Sequence, residues 1–422
     1  MQNVLVFPCG SEIGLEIHRS LVGSKHFNVF GASSTNDHGQ FVFENYISGV
    51  PFVDQPGFLE NIIEIVDRFE INVIIPAHDS AVLFFSDNRD KIKATILTSD
   101  IETCRVCRSK KETYRVFENL IPTPKLFDGI GPMSFPVFLK PDVGQGSKGT
   151  HFVADQKDLD FYLRKDGSLL VLEFLPGKEY TIDCFTDRHG QLLFSEGRER
   201  VRISNGISVR TKPAFHPDFK SMAEALNRKL RFQGAWFYQV KERENGELVL
   251  MEVAPRIAGS MALFRILGVN FVQLSLFDRM GLDVSILYNK INTVSDRALT
   301  SRYSFDFEYD TIYIDFDDTI VMADRVNTDA IKLLYQARNK GIEIVLITRH
   351  KDNLHDTLAR FSISPTLFNK IYHLKKGEKK SSFIFTKSAI FIDDSHAERK
   401  EVFDNLRIPV FGLDSLEMIC EN

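Results

Sequence analysis

Two short acidic clusters stand out as groups able to do chemistry, Asp315-Phe316-Asp317-Asp318-Thr319 and Asp393-Asp394. Each follows an apolar run that reads as a buried strand, Thr311-Ile312-Tyr313-Ile314 and Ala389-Ile390-Phe391-Ile392. Ionised carboxylates at such strand ends are costly unless a cation or a chemical task holds them there. Another apolar run, Ile342 to Ile347, ends in Thr348-Arg349 between the two clusters. This order of spaced aspartates, a strand-end threonine and an aspartate pair points to phosphoryl chemistry with Mg²⁺.

A second set lies mid-chain. Phe138-Leu139-Lys140-Pro141 puts a lysine at a strand end, and Gly144-Gln145-Gly146-Ser147-Lys148-Gly149-Thr150 follows. The lysine can neutralise phosphate charge, and backbone N–H groups of a loop with three glycines can close over phosphates. Alone, such a loop is weak evidence, because glycine-rich turns between strands are common. The segment Val171 to Tyr180 places Glu173 and Glu179 around a turn, the first suited to an adenine amine and the second to ribose hydroxyls. Gln239 and Glu252 are expected side by side across a hairpin turning at Glu244-Asn245-Gly246-Glu247. Oxygen ligands on neighbouring strands suit Mg²⁺. Arg256 then supplies positive charge for a developing acyl phosphate or its oxyanion. Arg198 and Arg200, with Arg210 beyond them, read either as an exposed strand of alternating charge or as a clamp for a planar anion. His78 and Asp79, after a strand ending at Pro76, read either as a solvated loop or as groups that reach substrate.

Several elements must position these groups. The first hundred residues alternate strands (Val4 to Phe7, Phe27 to Gly31, Val73 to Pro76) with helices, one through Leu21 and one from Phe58 to Phe69, as in a small parallel α/β layer. The glycines at 10 and 14 lack dinucleotide-fingerprint spacing, which argues against NAD. From Arg108 a new pattern begins: a helix from Lys110 stopped by Pro122 and Pro124, then strands that look antiparallel, with one helix from Pro217 to Leu230. The polar stretch Asn292 to Asp310 shows no period and is taken as a junction. The expected divisions are 1–107, 108–291, a linker at 292–309, and 310–422.

Composition bounds the partners. With 43% hydrophobic and 26% charged residues the chain has an ordinary globular make-up, and its net charge of -5 argues against a general nucleic-acid binder. No run approaches the roughly 18 apolar residues of a membrane span, so membrane insertion is not expected. The N-terminus enters a strand without a basic segment, and five sparse cysteines suit reduced thiols, so a cytoplasmic location is expected. Cys104 and Cys107 form a single C-x-x-C, read as packing cysteines.

The mid-chain motifs, in this order, resemble the ATP-grasp superfamily over residues 1 to 290, nearest its carbamoyl-phosphate-synthase-like and biotin-carboxylase-like branch. The resemblance implies an N-terminal α/β (pre-ATP-grasp) domain, a small lid-like subdomain carrying Lys140 and the glycine loop with Gly146 and Ser147, and a β-rich subdomain carrying metal ligands. It implies ATP and Mg²⁺ as cofactors, and a carboxylate joined to an amine or related nucleophile through an acyl phosphate, with ADP released. By position Lys111 (or Lys110) and Lys140 correspond to phosphate contacts, Glu173 with Leu175 to the adenine hinge, and Glu179 to the ribose ligand. Gln239 and Glu252 correspond to metal ligands and Arg256 to the transition-state arginine. The arginine-rich region corresponds to one facing the acceptor, which favours the clamp reading for Arg198, Arg200 and Arg210. The family commonly reads Glu-x-Asn-Pro-Arg, and Ala254 stands at the Asn. One metal ligand is therefore missing.

Residues from about 308 onward resemble the haloacid-dehalogenase (HAD) superfamily. That resemblance implies Asp315 as nucleophile, Asp317 as general acid and base, Thr348 as a phosphoryl-oxygen contact, and Lys380 (preferred over Lys379 and Lys387) as phosphate neutraliser. Asp315, Asp317 and Asp393, the last with Asp394 as a candidate companion, would hold Mg²⁺. Only 28 residues separate Thr319 from Thr348, too few for a large cap, so a capless HAD-like Rossmannoid domain is expected. The overall fold class is then α/β and α+β multidomain. The expected function is a bifunctional ligase and phosphomonoester hydrolase of one biosynthetic pathway, for a surface polysaccharide or specialised metabolite. The alternative is a phosphatase whose ATP-grasp part only binds nucleotide. Expected partners are a small carboxylate, an amine and a phosphomonoester, and a homodimer is one assembly the resemblance allows.

Overall fold

In the computed structural model, residues 1–127, 133–144, 146–304 and 306–420 are described. Gln145 of the glycine loop and Phe305 of the expected linker lie outside them. The chain forms two compact units, Met1–Thr300 and Ser301–Asn422.

The first unit opens with a five-stranded parallel sheet ordered Asn45–Ile47, Phe27–Ala32, Gln2–Phe7, Val73–Pro76, Thr95–Ile96. The central strands are short apolar runs buried along most of their length, as helix-covered parallel strands are. A six-stranded antiparallel sheet follows, ordered Leu248–Ala254, Gly234–Glu242, Glu179–Thr186, Leu192–Ser204, Ile207–Ala214, Ser295–Asp296. A four-stranded antiparallel sheet contains Val137–Lys140 at an inner position.

Two expected boundaries are corrected by packing. Val4, Val6 and Ile75 of the parallel sheet share one hydrophobic core with Phe185, Phe237, Ala254 and Phe264. Position 107/108 is therefore not a break between separate cores; the helices Ile101–Arg108 and Lys110–Phe117 are divided only by Ser109, which caps the second. The expected linker is also partly structured, because Ser295–Asp296 pairs with Thr211 and Arg210 at the sheet edge. His78 and Asp79, read as a solvated loop, instead begin the helix Asp79–Asp87.

The arginine-rich stretch lies in a long strand, Leu192–Ser204, that turns at Asn205-Gly206 into Ile207–Ala214. Asn205 (φ 49°) and Gly206 (φ 74°) supply the left-handed pair that a two-residue hairpin needs. Asn-Gly is a local sequence signal for such a turn.

The second unit is built on a five-stranded parallel sheet ordered Lys370–His373, Glu343–Thr348, Thr311–Ile314, Ala389–Ile392, Val410–Phe411. Ile312, Ile314, Leu346 and Ile390 are fully buried between covering helices. Between Thr319 and the strand Glu343–Thr348 lie a two-stranded hairpin, Val321–Met322 with Arg325–Val326, and the helix Thr328–Asn339. Asp318 sits at φ 53°, in the left-handed region that Asp tolerates better than most residues.

Among the described residues no single helix is long and apolar enough to cross a membrane. The bent pair Gly259–Ile266 and Phe271–Arg279 passes that test only jointly, and Leu263, Phe264, Phe271, Val272 and Leu276 are core residues.

Candidate active sites

In the first unit, the strand Val137–Lys140 delivers its terminal lysine to a cavity of about 150 Å³. Lys140 is buried; Nζ donates to the Tyr114 hydroxyl at 2.6 Å and to the Met251 carbonyl at 3.4 Å. Burial pushes its ammonium down to about 7, against the pull of Glu252. Gly146, Ser147, Glu173, Leu175 and Glu179 line the same cavity. Gln239 and Glu252 are direct partners across their two strands, beside the bulge between Gln239 and Val240, and both line it. Gly246 takes φ 84° in the turn joining these strands.

A second cavity of about 270 Å³ shares Lys110, Gly146, Arg200, Gln239 and Glu252 with the first. Arg256 lines it and forms a two-pronged pair with Asp79, Nε to Oδ1 at 2.7 Å and Nη2 to Oδ2 at 2.9 Å. Burial alone would raise the Asp79 carboxyl, but Arg256 outweighs it and holds the group below its usual range. Ala254, also in this wall, packs into the core and offers no side-chain oxygen where the resemblance expects one.

Four expected roles are corrected. Lys111 is exposed, and its backbone N–H is tied to Asp142; Lys110 instead lines both cavities, with its ammonium on the Asp142 and Gly144 carbonyls. The helix Lys110–Phe117 turns successive side chains about 100° apart, so only one of the pair can face inward. Arg198 is no open clamp: it is 1% exposed and pairs through Nε (2.7 Å) and Nη2 with the fully buried Asp183 on the adjacent strand. Arg210 lies at the sheet edge with Arg202, facing Asp296, and lines neither cavity. Glu173 lines the first cavity, but its carboxylate is held by Arg243 and the Lys125 N–H rather than left open for an adenine amine. Arg200 does line both cavities, paired with Glu179 at 2.8 Å.

The tip of the arginine hairpin backs the glycine loop. A Cβ on Gly206 would stand 2.3 Å from the Gly146 carbonyl carbon, at a φ that already disfavours a side chain. Gly206→Ala is expected to cost about 1 kcal/mol or more locally and to speed amide exchange at Gly146 and the following loop residues. Unchanged exchange there would show that the contact does not hold the loop.

In the second unit Asp315, Thr348 and Asp393 stand at or just beyond the C-terminal ends of three adjacent parallel strands. All three are buried, as is Lys380, whose Nζ reaches Asp315 at 2.7 Å and Asp393 at 2.6 Å. Of the three lysines considered, Lys380 is the one that reaches the carboxylates. Burial raises the Asp315 carboxyl to about 7; Lys380 opposes the rise and Asp393 adds to it. Burial likewise raises Asp393. Carboxylate oxygens of Asp315, Asp393 and Asp394 lie within 4.8 Å of one another, a donor set that fits a hard divalent cation.

Asp317 is corrected as a carboxylate metal ligand. It is outside that trio, and Oδ1 meets His350 Nδ1 at 2.8 Å. His350 Nε2 meets the Thr357 hydroxyl at 2.8 Å. His350 was missed because the chain gives no local sign that position 350 comes beside position 317. Arg349, also unassigned, pairs with Glu398.

Comparison with known proteins bears on the first unit. Residues 165–298 match the family model described as ATP-grasp in the biosynthetic pathway with Ter operon. The large chain of carbamoyl phosphate synthase from Clostridium botulinum is 26% identical over 202 residues, 44% of this chain but only 18% of that protein. The 3-methyl-D-ornithine--L-lysine ligase of Methanosarcina barkeri is 22% identical over 178 residues, 42% of this chain and 46% of that one. N5-carboxyaminoimidazole synthetase from Staphylococcus aureus, solved with ADP, superposes with a TM-score of 0.56 at 16% identity, covering 69% of this chain and 81% of that one. The first unit carries a mixed α/β ATP-grasp fold. The chain spans well under two thirds of the curated relatives described, so their activities are not carried over whole.

Proposed function

We propose that this chain is a bifunctional enzyme whose first unit is an ATP- and Mg²⁺-dependent carboxylate–amine ligase and whose second is a HAD-like, Mg²⁺-dependent phosphomonoester hydrolase. The observation that carries the ligase reading is Gln239 facing Glu252 across two strands in a cavity that also holds the buried Lys140. The matched family's biosynthetic setting and the ligase among the relatives agree with it.

In this reading Lys140, Lys110 and the loop at Gly146 and Ser147 hold the phosphates, Leu175 packs on the adenine, and Glu179 meets the ribose. Gln239 and Glu252 would hold Mg²⁺, which would neutralise the phosphate oxygens. A substrate carboxylate oxygen then takes the γ-phosphoryl group as the bond to ADP breaks, and the amine attacks the acyl carbon, loses a proton and displaces inorganic phosphate. Arg256, kept in place by Asp79, steadies the charge that develops.

In the second unit Asp315 attacks the phosphorus of the ester, forming an aspartyl phosphate as the bond to the alcohol breaks. Asp317 gives its proton to the departing alkoxide, then takes one from the water that releases phosphate. His350 orients Asp317, while Thr348 and Lys380 hold phosphoryl oxygens. Asp315, Asp393 and Asp394 would hold Mg²⁺, which screens the approach of two anions.

Ala254 favours one alternative: a first unit that binds nucleotide without ligating, leaving the hydrolase as the active centre. ADP release from ATP and Mg²⁺, across panels of carboxylates and amines, decides between them. The ligase reading expects stimulation by a carboxylate–amine pair and its loss in Lys140→Ala. If no panel member stimulates release while phosphate esters are hydrolysed, the alternative stands.

The position of Lys140 sets a pH dependence. A bound triphosphate favours the charged form of a lysine that titrates near 7 in the free protein, so binding takes up a proton above that pH. Nucleotide affinity is expected to fall by up to about tenfold per unit from pH 7.5 to 9, and to flatten in Lys140→Arg. Calorimetry in buffers of different ionisation heat measures the uptake; none at pH 8.5 would contradict the assignment.

A further inference from the structure

The buried ammonium of Lys140 has a partner that lies behind the nucleotide cavity. Nζ meets the Tyr114 hydroxyl at 2.6 Å, and that hydroxyl lies 2.9 Å from the Met251 carbonyl. A carbonyl only accepts, so the phenol O–H points at Met251 and its oxygen lone pairs are left for the ammonium. The phenol keeps that proton, because burial, joined by Glu252 and Asp142, pushes its titration well up. The Tyr114 ring centroid stands 5.3 Å from Nζ, about twice the hydroxyl distance. The ammonium therefore meets the ring at its hydroxyl end and not over its face.

Tyr114 follows Lys110 by four residues on the helix Lys110–Phe117, so both side chains leave one face of it. Lys110 reaches the two cavities described above, whereas Tyr114 is buried and lines neither of them. The charged groups that act on Lys140 are Glu252 on the strand Leu248–Ala254, Lys110, Glu179 on the strand Glu179–Thr186, and Asp142 just beyond Lys140 itself. Glu179 is paired with Arg200, Asp142 holds Ser109 and the Lys111 N–H, and the ligase reading commits Glu252 to Mg²⁺. Among the described residues, the hydrogen-bond acceptors of Nζ are the Tyr114 hydroxyl and, at 3.4 Å, the Met251 carbonyl.

We propose that Tyr114 is a positioning residue of the nucleotide site: its hydroxyl, aligned by the Met251 carbonyl, seats the Lys140 ammonium and leaves the remaining N–H free for phosphate. What Lys140 meets rests on the nucleotide-binding part of the ligase reading; the seat itself is read from the hydrogen bonds alone. An acceptor on a buried ammonium favours its charged form. Burial already drives Lys140 down to about 7, so losing the hydroxyl should drive it lower.

The test is Tyr114→Phe, which keeps the ring and deletes one oxygen, with the fold checked by the fluorescence of the single tryptophan, Trp236. In the full chain carrying carbon-13 at lysine Cε, the Lys140 signal is identified by its loss in Lys140→Arg. Its titration midpoint is expected to fall from about 7 to about 6 in Tyr114→Phe. Binding of a non-hydrolysable ATP analogue with Mg²⁺ supplies a second readout, because protonation of the analogue is common to both chains and cancels in their affinity ratio. Wild type is expected to bind about equally well at pH 5.5, where Lys140 is charged in both chains, and about tenfold more tightly at pH 8. With Lys140→Arg in both chains the ratio should not change with pH. A midpoint that does not move, or an affinity ratio equal at the two pH values, overturns the proposal, since a ring that only fills space acts alike at both. If neither chain binds the analogue while the midpoint falls as expected, the nucleotide reading fails and the seat of Lys140 stands.

Discussion

Asp315→Asn is expected to lower phosphomonoester turnover about 10⁴-fold or more, because it removes the atom that attacks phosphorus rather than a group that assists. Steady-state kinetics on generic phosphate esters measures this, and turnover within tenfold of wild type would rule out the aspartyl-phosphate route. The same substitution has an opposite signature in stability. Without metal, the Asp315 carboxyl titrates near 7, raised by burial above the roughly 4 of an unfolded aspartate. Between those values the folded chain holds the extra proton, so wild-type stability falls as pH rises from about 4 to about 7. Asn cannot titrate, so the second unit of the variant should show a shallower fall in calorimetry.

Arg198→Met is expected to destabilise the first unit by about 3–5 kcal/mol, the usual cost of leaving one member of a buried ion pair behind. Asp183 would then lie buried with no counter-charge, and burial already pushes its carboxyl above the ordinary range even with Arg198 beside it. The double variant Arg198→Met/Asp183→Leu should recover most of the loss, because an apolar pair removes both desolvation penalties. Trp236 reads the transition: it is fully buried on the strand next to that of Asp183, stacked on Phe232 at 3.9 Å. Loss below about 1 kcal/mol in the single variant would mean that water reaches Asp183 and that the pair is not sealed in the core.

Local signals in the sequence were read more surely than distant ones. The turn at Asn245-Gly246 between two apolar runs sets Gln239 against Glu252, and both residues do face each other. The strands ending at Asp315 and Asp393 could be placed because each is a short apolar run meeting an acid, and they are neighbours in the sheet. What stayed hidden depends on partners far along the chain. Arg256 meets Asp79 across 177 residues, and Arg243 takes Glu173 across 70. Neither carries a local mark, since an arginine destined for an ion pair and one destined for a ligand look alike in sequence. The same ambiguity makes Arg198 look like a clamp for a planar anion, because alternation along the strand fixes only which face it takes, not whether a carboxylate lies beneath it.

The central claim is that the first unit activates a carboxylate as an acyl phosphate, and hydroxylamine trapping tests it most directly. Hydroxylamine stands in for the unidentified amine, so only ATP, Mg²⁺ and a carboxylate panel are needed, with mass spectrometry reading the hydroxamate. The account predicts a hydroxamate from at least one acid, formed one-for-one with ADP and lost in Glu252→Gln and Lys140→Ala. ADP formation without hydroxamate from any acid, or hydroxamate that persists in both variants, would contradict it.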